Sequence, residues 1–187
     1  MTALSTVTTA QQVLLSVTDL LGENHETART PCRDFDVAAL GEHLIDSIIR
    51  ISAAADVAVP IPPATALADR IGAASAATLT GWECRGTGGD VSFAGRTLPA
   101  VDLLRVIALE FTVHGWDFAT AVASQITVPD DLAEDLLQLA QRTITPQSRR
   151  NVGFDDPVPI DLDASAFARL LAFTGRHPAQ SPLRPRP

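Results

Sequence analysis

Apolar residues recur at intervals of three and four along several stretches of the chain, which predicts amphipathic helices. After Asp36 they form a stripe along one face of a helix of residues 37–56, which ends before Pro60. This stripe comprises Val37, Leu40, Leu44, Ile48, Ile51 and Ala55. Asp36 is a good N-cap, because its carboxylate can accept a hydrogen bond from a free amide of the first turn. The pattern therefore predicts a helix with one buried face.

The same periodicity predicts helices on either side of this one. They span residues 8–21, 65–82, 99–123 and 129–142, with a shorter helix at 164–174. The apolar stripe predicted for the first comprises Leu14, Val17, Leu20 and Leu21. Short alternating runs on both sides of Ala94 and Gly95 predict a hairpin or an extended crossover before the helix that starts at Pro99.

These elements predict an all-α fold. Four long helices, with a long crossover connection between the third and the fourth, are typical of a four-helix bundle. We find no linker that separates two domains, so residues 1–178 are predicted to form a single helical domain. The Pro- and Arg-rich residues 179–187 are predicted to be a disordered tail.

Composition and charge restrict the partners that this chain can have. The net charge of −8 argues against nucleic acid and against an anionic membrane surface, because both attract basic patches. Neither a signal peptide nor an apolar run of ~20 residues is found, which predicts a cytoplasmic protein. Two cysteines, Cys32 and Cys84, do not make a disulfide framework. Cys32 has no histidine nearby in sequence, which favours a structural or incidental thiol over a nucleophile.

Ionisable residues interrupt the apolar seam of the predicted fourth helix. Spaced by three and four, this seam comprises Leu103, Ile107, Glu110, His114, Asp117 and Ala121. A buried carboxylate is costly unless it is paired or binds a metal. Glu110 and His114 are four residues apart and project from the same face, where one cation could bridge them. Their donors suit Zn²⁺, and also Fe²⁺, Ni²⁺ or Mn²⁺. The alternative is a hydrogen bond between the two side chains within the core.

His43 is the candidate for a third ligand, because it lies within the apolar second helix. The alternative is a histidine at the core boundary that bonds to a backbone carbonyl. His25 and His177 lie in a polar loop and near the tail, so His43 and His114 are the two histidines in strongly apolar helices. Asp117, one turn beyond His114, either orients a ligand imidazole from the second coordination shell or is a carboxylate on the helix surface.

Several motifs of the chain resemble the DinB-like metalloprotein superfamily. They are Thr30-Pro-Cys32, Asp36-Val37, Leu40, His43-Leu44, Glu110-Phe-Thr-Val-His114-Gly-Trp-Asp117 and Gly175-Arg-His-Pro178. Within the superfamily, the chain resembles the actinobacterial branch related to the metal-binding domain of mycothiol-dependent maleylpyruvate isomerase. The resemblance implies a four-helix bundle whose ligands are a histidine and a Glu-x-x-x-His pair, here His43, Glu110 and His114.

The resemblance also implies a function. It implies a divalent metal, with zinc preferred and nickel or iron as alternatives. The metal would activate mycothiol or a similar small-molecule thiol, which would then be transferred to a small electrophile or would catalyse its isomerisation. The competing hypothesis is a non-catalytic binding or regulatory bundle with a structural metal or a metal-free polar network in its core. A homodimer is a further possibility. An open coordination position reached by solvent would favour the enzyme, because catalytic zinc sites keep one position free.

Overall fold

The computed structural model describes residues 1–61, 66–151 and 154–178. The described chain is mostly helical and contains one small antiparallel sheet of two strands. The helices are α1 Ala3–Thr18, α2 Val37–Ala53, α3 Leu67–Arg85, α4 Ala100–Ala121, α5 Asp130–Thr143, α6 Pro146–Asn151 and α7 Ala166–Phe173, and the strands are β1 Asp90–Phe93 and β2 Arg96–Pro99. A single 3-10 turn, Glu23–His25, follows α1.

Helix α1 begins and ends earlier than its apolar pattern predicts. It starts at Ala3 because the Thr2 hydroxyl accepts a hydrogen bond from the Ser5 amide at 3.2 Å and caps the helix. It ends at Thr18, so Leu20 lies beyond it and is 48% exposed. The assignment of Leu20 to the core stripe is therefore wrong, whereas the other three members of that stripe are buried.

Helix α2 has the predicted start and the predicted buried face. The Asp36 carboxylate accepts a hydrogen bond from the Ala39 amide at 2.9 Å, which is the expected N-cap. All six residues of the predicted stripe are buried. The helix ends at Ala53, and Asp56, with a φ of +58°, turns the chain away from the helical direction.

The hairpin alternative for the segment before α4 is confirmed. Val91 pairs with Leu98, and the strands are joined at Ala94 and Gly95, which both have positive φ. Positive φ at both central residues is typical of the two-residue turns that match strand twist. The Ala100 amide donates to the Gly89 carbonyl at 2.9 Å, so α4 starts directly from the end of β2.

Helix α4 lies at the centre of the core. It packs against α1, α2 and α5, and α3 in turn packs against both α1 and α2. Buried side chains point from most of its circumference, including those of Phe111 and Phe118. A helix that is apolar on all sides must be covered on all sides. His114 and Asp117 on α4 are therefore held within the core.

The C-terminal region forms a smaller layer, in which α7 packs against α5. α5 and α7 lie within two residues of their predicted bounds, whereas α6 was not predicted. Pro62, Pro63 and the predicted tail 179–187 lie outside the described residues. In the part of the chain that is described, no helix is both long and apolar enough to cross a membrane.

Candidate metal centre

Three predicted ligands come together between α2 and α4. His43, Glu110 and His114 each offer one ligand atom, and these three atoms all lie within 4.8 Å of one another. Glu110 and His114 share a face of α4 because they are one turn apart. His43 approaches from α2, which packs against α4. Two imidazoles and a carboxylate are the donor set of many catalytic zinc sites.

The spacing of these atoms fits a metal ion better than it fits a strong hydrogen bond. His114 Nε2 lies 3.5 Å from Glu110 Oε2, which is beyond the usual range for an N–H···O hydrogen bond. Tetrahedral coordination with bonds of ~2.0–2.2 Å separates neighbouring ligand atoms by about 3.3–3.6 Å. The Glu110–His114 pair therefore already has the separation of two zinc ligands, and the residues present fit the metal that the sequence predicts.

The other nitrogen of His114 is held by Asp117. His114 Nδ1 lies 3.0 Å from Asp117 Oδ2, and the Asp117 side chain is fully buried. An ionised carboxylate can only accept, so Nδ1 carries the proton and donates it in this bond. Nε2 then presents its lone pair towards Glu110 whenever the ring is neutral. This is the arrangement that orients histidine ligands in zinc proteins. The helix-surface alternative for Asp117 is wrong, because the residue lies in the core.

Asp117 is itself held by Arg176, a residue that was not singled out from the sequence. Arg176 Nη2 donates to Asp117 Oδ2 at 2.7 Å, and Arg176 Nε donates to Asp117 Oδ1 at 3.2 Å. This two-point contact is the strong form of an arginine–carboxylate pair. Arg176 belongs to the Gly175-Arg-His-Pro178 motif that was noted in the sequence. The motif alone does not indicate that Arg176 contacts Asp117.

The His43 ring lies between two other rings. Its centroid is 4.9 Å from that of Phe35 and 5.5 Å from that of His114, and it meets the His114 ring edge to face. Burial, together with the neighbouring His114, lowers the pKa of His43. A lowered pKa keeps this imidazole neutral at physiological pH, which is the form that binds a metal.

The charges of α4 support one another. Burial opposes the ionised forms of Glu110 and Asp117, but His114 next to Glu110 and Arg176 next to Asp117 outweigh it, so the pKa of each carboxyl is lowered. Burial also opposes the imidazolium of His114, yet its hydrogen bond to Asp117 and the negative charge of nearby Glu110 outweigh burial and raise the pKa of His114. Both carboxylates are therefore ionised at neutral pH, and a metal that binds His114 Nε2 must compete with a proton for that nitrogen.

Cys32 is close to His114 and Asp117 in the fold. One ligand atom each from Cys32, His114 and Asp117 also lie within 4.8 Å of one another. A cation there would face the Arg176 guanidinium, which already contacts both oxygens of Asp117, so this group does not fit a metal. Burial, against the opposing charge of Arg176, raises the pKa of Cys32 to about 11. Although the fold brings a histidine close, the thiol is therefore protonated and weakly nucleophilic.

The residues of the centre differ in their exposure to solvent. His114 and Asp117 are buried, whereas His43 and Glu110 are each partly exposed, and 13% of the Glu110 side chain reaches solvent. A fourth coordination position would therefore lie on the side of His43 and Glu110. The three protein donors of this group leave that position to a small molecule.

Comparison of the chain with protein-family models, with curated proteins and with solved structures gave no match.

Proposed function

We propose that this chain binds one divalent metal through His43, Glu110 and His114 and uses it to activate a small-molecule thiol. The observation that carries the proposal is the convergence of three ligand atoms within 4.8 Å, two of them on partly exposed side chains. The buried bond from His114 to Asp117 supports it, because this bond leaves Nε2 to the metal. The proposed fold is a DinB-like four-helix bundle, supported by the way α1 and α2 each pack against both α3 and α4.

Zinc is the metal that these donors favour, with nickel and iron as alternatives. Imidazole and carboxylate donors bind all three ions, and three protein ligands with an open position are typical of catalytic zinc. A bound Zn²⁺ would supply Lewis acidity, which deprotonates a coordinated thiol at neutral pH. The protein residues hold that ion, exclude water from the Asp117 side and leave one edge open to the thiol.

The charge of the centre supports an anionic fourth ligand. Glu110, Asp117 and Arg176 carry a combined charge of −1 in their ionised forms, so a divalent ion would leave the cluster at +1. Residual positive charge in a largely buried site favours a ligand that brings one negative charge. A thiolate brings that charge. The proposed reaction is therefore transfer of a mycothiol-type thiol to a small electrophile, or isomerisation of the electrophile through a thiol adduct, in the cytoplasm.

Elemental analysis of protein purified without chelator or affinity tag tests the metal site. We expect about one equivalent of metal in the wild type, its loss in His114→Ala and its retention in His177→Ala, which removes an exposed histidine outside the cluster. Absence of metal from the wild type, even after incubation with Zn²⁺ or Ni²⁺, would refute the proposal. Metal-loaded protein would then be screened for turnover with pairs of thiols and electrophiles, beginning with mycothiol.

A metal-free polar network is the second candidate, and one observation favours it. With His114 as an imidazolium, the buried cluster of Glu110, Asp117, Arg176 and His114 has a net charge of zero. Such a network could serve a non-catalytic binding or regulatory bundle, including a homodimer. The same elemental analysis separates the candidates, because the network predicts no metal and requires none for the folded state.

A further inference from the structure

Helix α7 ends in a turn that directs the next side chain into the core. The Gly175 amide donates to the Ala172 carbonyl at 3.1 Å, and the Arg176 amide donates to the Leu171 carbonyl at 2.9 Å. Gly175 has a φ of +85°. This pair of bonds with a left-handed glycine is the Schellman motif, whose last residue usually makes an apolar contact with the helix. Here that residue is Arg176, which is only 4% exposed.

The guanidinium of Arg176 is held on several sides. Besides the two hydrogen bonds to Asp117, Arg176 Nη1 donates to the Thr174 carbonyl at 2.9 Å. The guanidinium carbon, Cζ, lies 5.6 Å from the centre of the Phe154 ring. The side chain therefore has a fixed orientation before any ligand arrives. A fixed guanidinium fixes a carboxylate that it contacts at two points.

The contacts form one continuous chain from the C-terminal region to the proposed metal. Arg176 holds both oxygens of Asp117, and Asp117 Oδ2 also accepts from His114 Nδ1. We infer that Arg176 is a positioning residue of the metal centre, which fixes the metal-binding nitrogen of His114 through Asp117. The segment from α7 to Pro178 is then part of the centre, although it contributes no ligand. This inference rests on the proposed function.

Coupling between two sites is reciprocal. If Arg176 strengthens metal binding, then metal binding must strengthen the docking of Arg176 by the same factor. Partners that orient metal-bound histidines contribute about 10–100-fold in affinity. Zinc should therefore stabilise the turn at Gly175 and Arg176 against local opening by a comparable factor.

Zinc affinity measured against a chromogenic chelator tests the inference. We expect Arg176→Met to weaken zinc binding by roughly 10–100-fold and Arg176→Lys to restore part of it, because lysine keeps the charge but loses the two-point contact. Arg149→Met is the matched control. Arg149 is equally buried in the C-terminal region and bonds to the Asp155 and Phe173 carbonyls, so its loss should weaken the fold without changing zinc affinity.

A nuclear magnetic resonance signal separates positioning from general destabilisation. The His114 Nδ1–H proton should move in Arg176→Met, because Asp117 loses its guanidinium, and should stay in place in Arg149→Met. Equal zinc affinity and an unchanged His114 signal in Arg176→Met would overturn the inference and leave the metal site intact. A wild type that binds no zinc would instead overturn the proposed function, and this inference with it.

Hydrogen exchange of the wild type keeps the inference testable if Arg176→Met does not fold. Zinc should slow exchange of the Gly175 and Arg176 amides by roughly 10–100-fold. The β1–β2 hairpin takes no part in the contacts that connect Arg176 to His114, so zinc should slow exchange there by less. Zinc-bound protein with unchanged exchange at these two amides would show that the turn and the centre are not coupled.

Discussion

Replacement of Gly175 by alanine disturbs the turn after α7 without removing any side chain of the metal centre. A Cβ at this position would lie 2.5 Å from Asp155 Cβ and 3.0 Å from two Asp155 backbone atoms. Real Cβ atoms do not approach so closely, and a backbone neighbour cannot rotate away as the end of a long side chain can. Gly175 also has a φ of +85°, which alanine rarely adopts. Gly175→Ala therefore combines backbone strain with overpacking.

The two contributions can be estimated separately. Left-handed backbone costs an alanine about 1–2 kcal/mol, from which about 0.4–1 kcal/mol is recovered because alanine restricts the unfolded chain. Overpacking against a fixed neighbour adds about 1–3 kcal/mol. Gly175→Ala should therefore lower the free energy of unfolding by about 1–4.5 kcal/mol, with a central value of about 3 kcal/mol. Gly95 provides the control, because its φ is +74° but a Cβ added there would meet no atom within 4 Å beyond its chain neighbours.

Urea unfolding followed by circular dichroism measures both variants under the same conditions. Gly95→Ala should lose no more than about 1.5 kcal/mol, since only backbone strain acts there. The difference between the two variants isolates the contact with Asp155. If Gly175→Ala were no less stable than Gly95→Ala, the close packing of the turn on Asp155, and with it the fixed position of Arg176, would be refuted.

Three further predictions follow from the core, the helix cap and the thiol. Leu44→Ala should lower the free energy of unfolding by about 2–5 kcal/mol in urea, whereas Leu20→Ala, at a half-exposed position, should change it by less than about 0.5 kcal/mol; equal losses would contradict the assigned burial. Asp36→Ala should cost about 0.5–2 kcal/mol in the same assay, and no loss would show that the cap is not formed. Iodoacetamide should alkylate exposed Cys84 first, and Cys32 should react appreciably only as the pH approaches its pKa of about 11. Because the pKa of Cys32 is higher in the folded protein than in the unfolded chain, the unfolded chain loses this proton at lower pH. The free energy of unfolding should therefore decrease from about pH 8.5 towards pH 11. Fast labelling of Cys32 by iodoacetamide at pH 7 would exclude its burial.

Local signals in the sequence predicted local structure well. The start of α2 follows from Asp36, and its buried face follows from a regular apolar stripe. The hairpin follows from alternating residues around a turn with a glycine. The bounds of α1 were harder to predict, because Thr2 caps a helix whose first turn has little apolar pattern. The exposure of Leu20 follows directly from that shift.

The candidate site was predictable where its residues share one helix. Glu110, His114 and Asp117 were found together because their spacing places them on one face of α4. Arg176 was missed because it lies 59 positions after Asp117, and no periodicity relates residues on different elements. Cys32 was placed far from any histidine for the same reason. Contacts of this kind depend on how the helices pack, which composition and spacing do not specify.

The packing of α1 against α4 has a consequence for synthesis on the ribosome. The apolar face of α1 is complete at Thr18, but its main partner ends about a hundred residues later at Ala121. At a synthesis rate of about 5–20 residues per second, α4 is completed about 5–20 s after α1. The nascent chain therefore exposes an aggregation-prone surface that a chaperone could cover. Arg176 emerges later still, so His114 is made before the side chain that is proposed to position it.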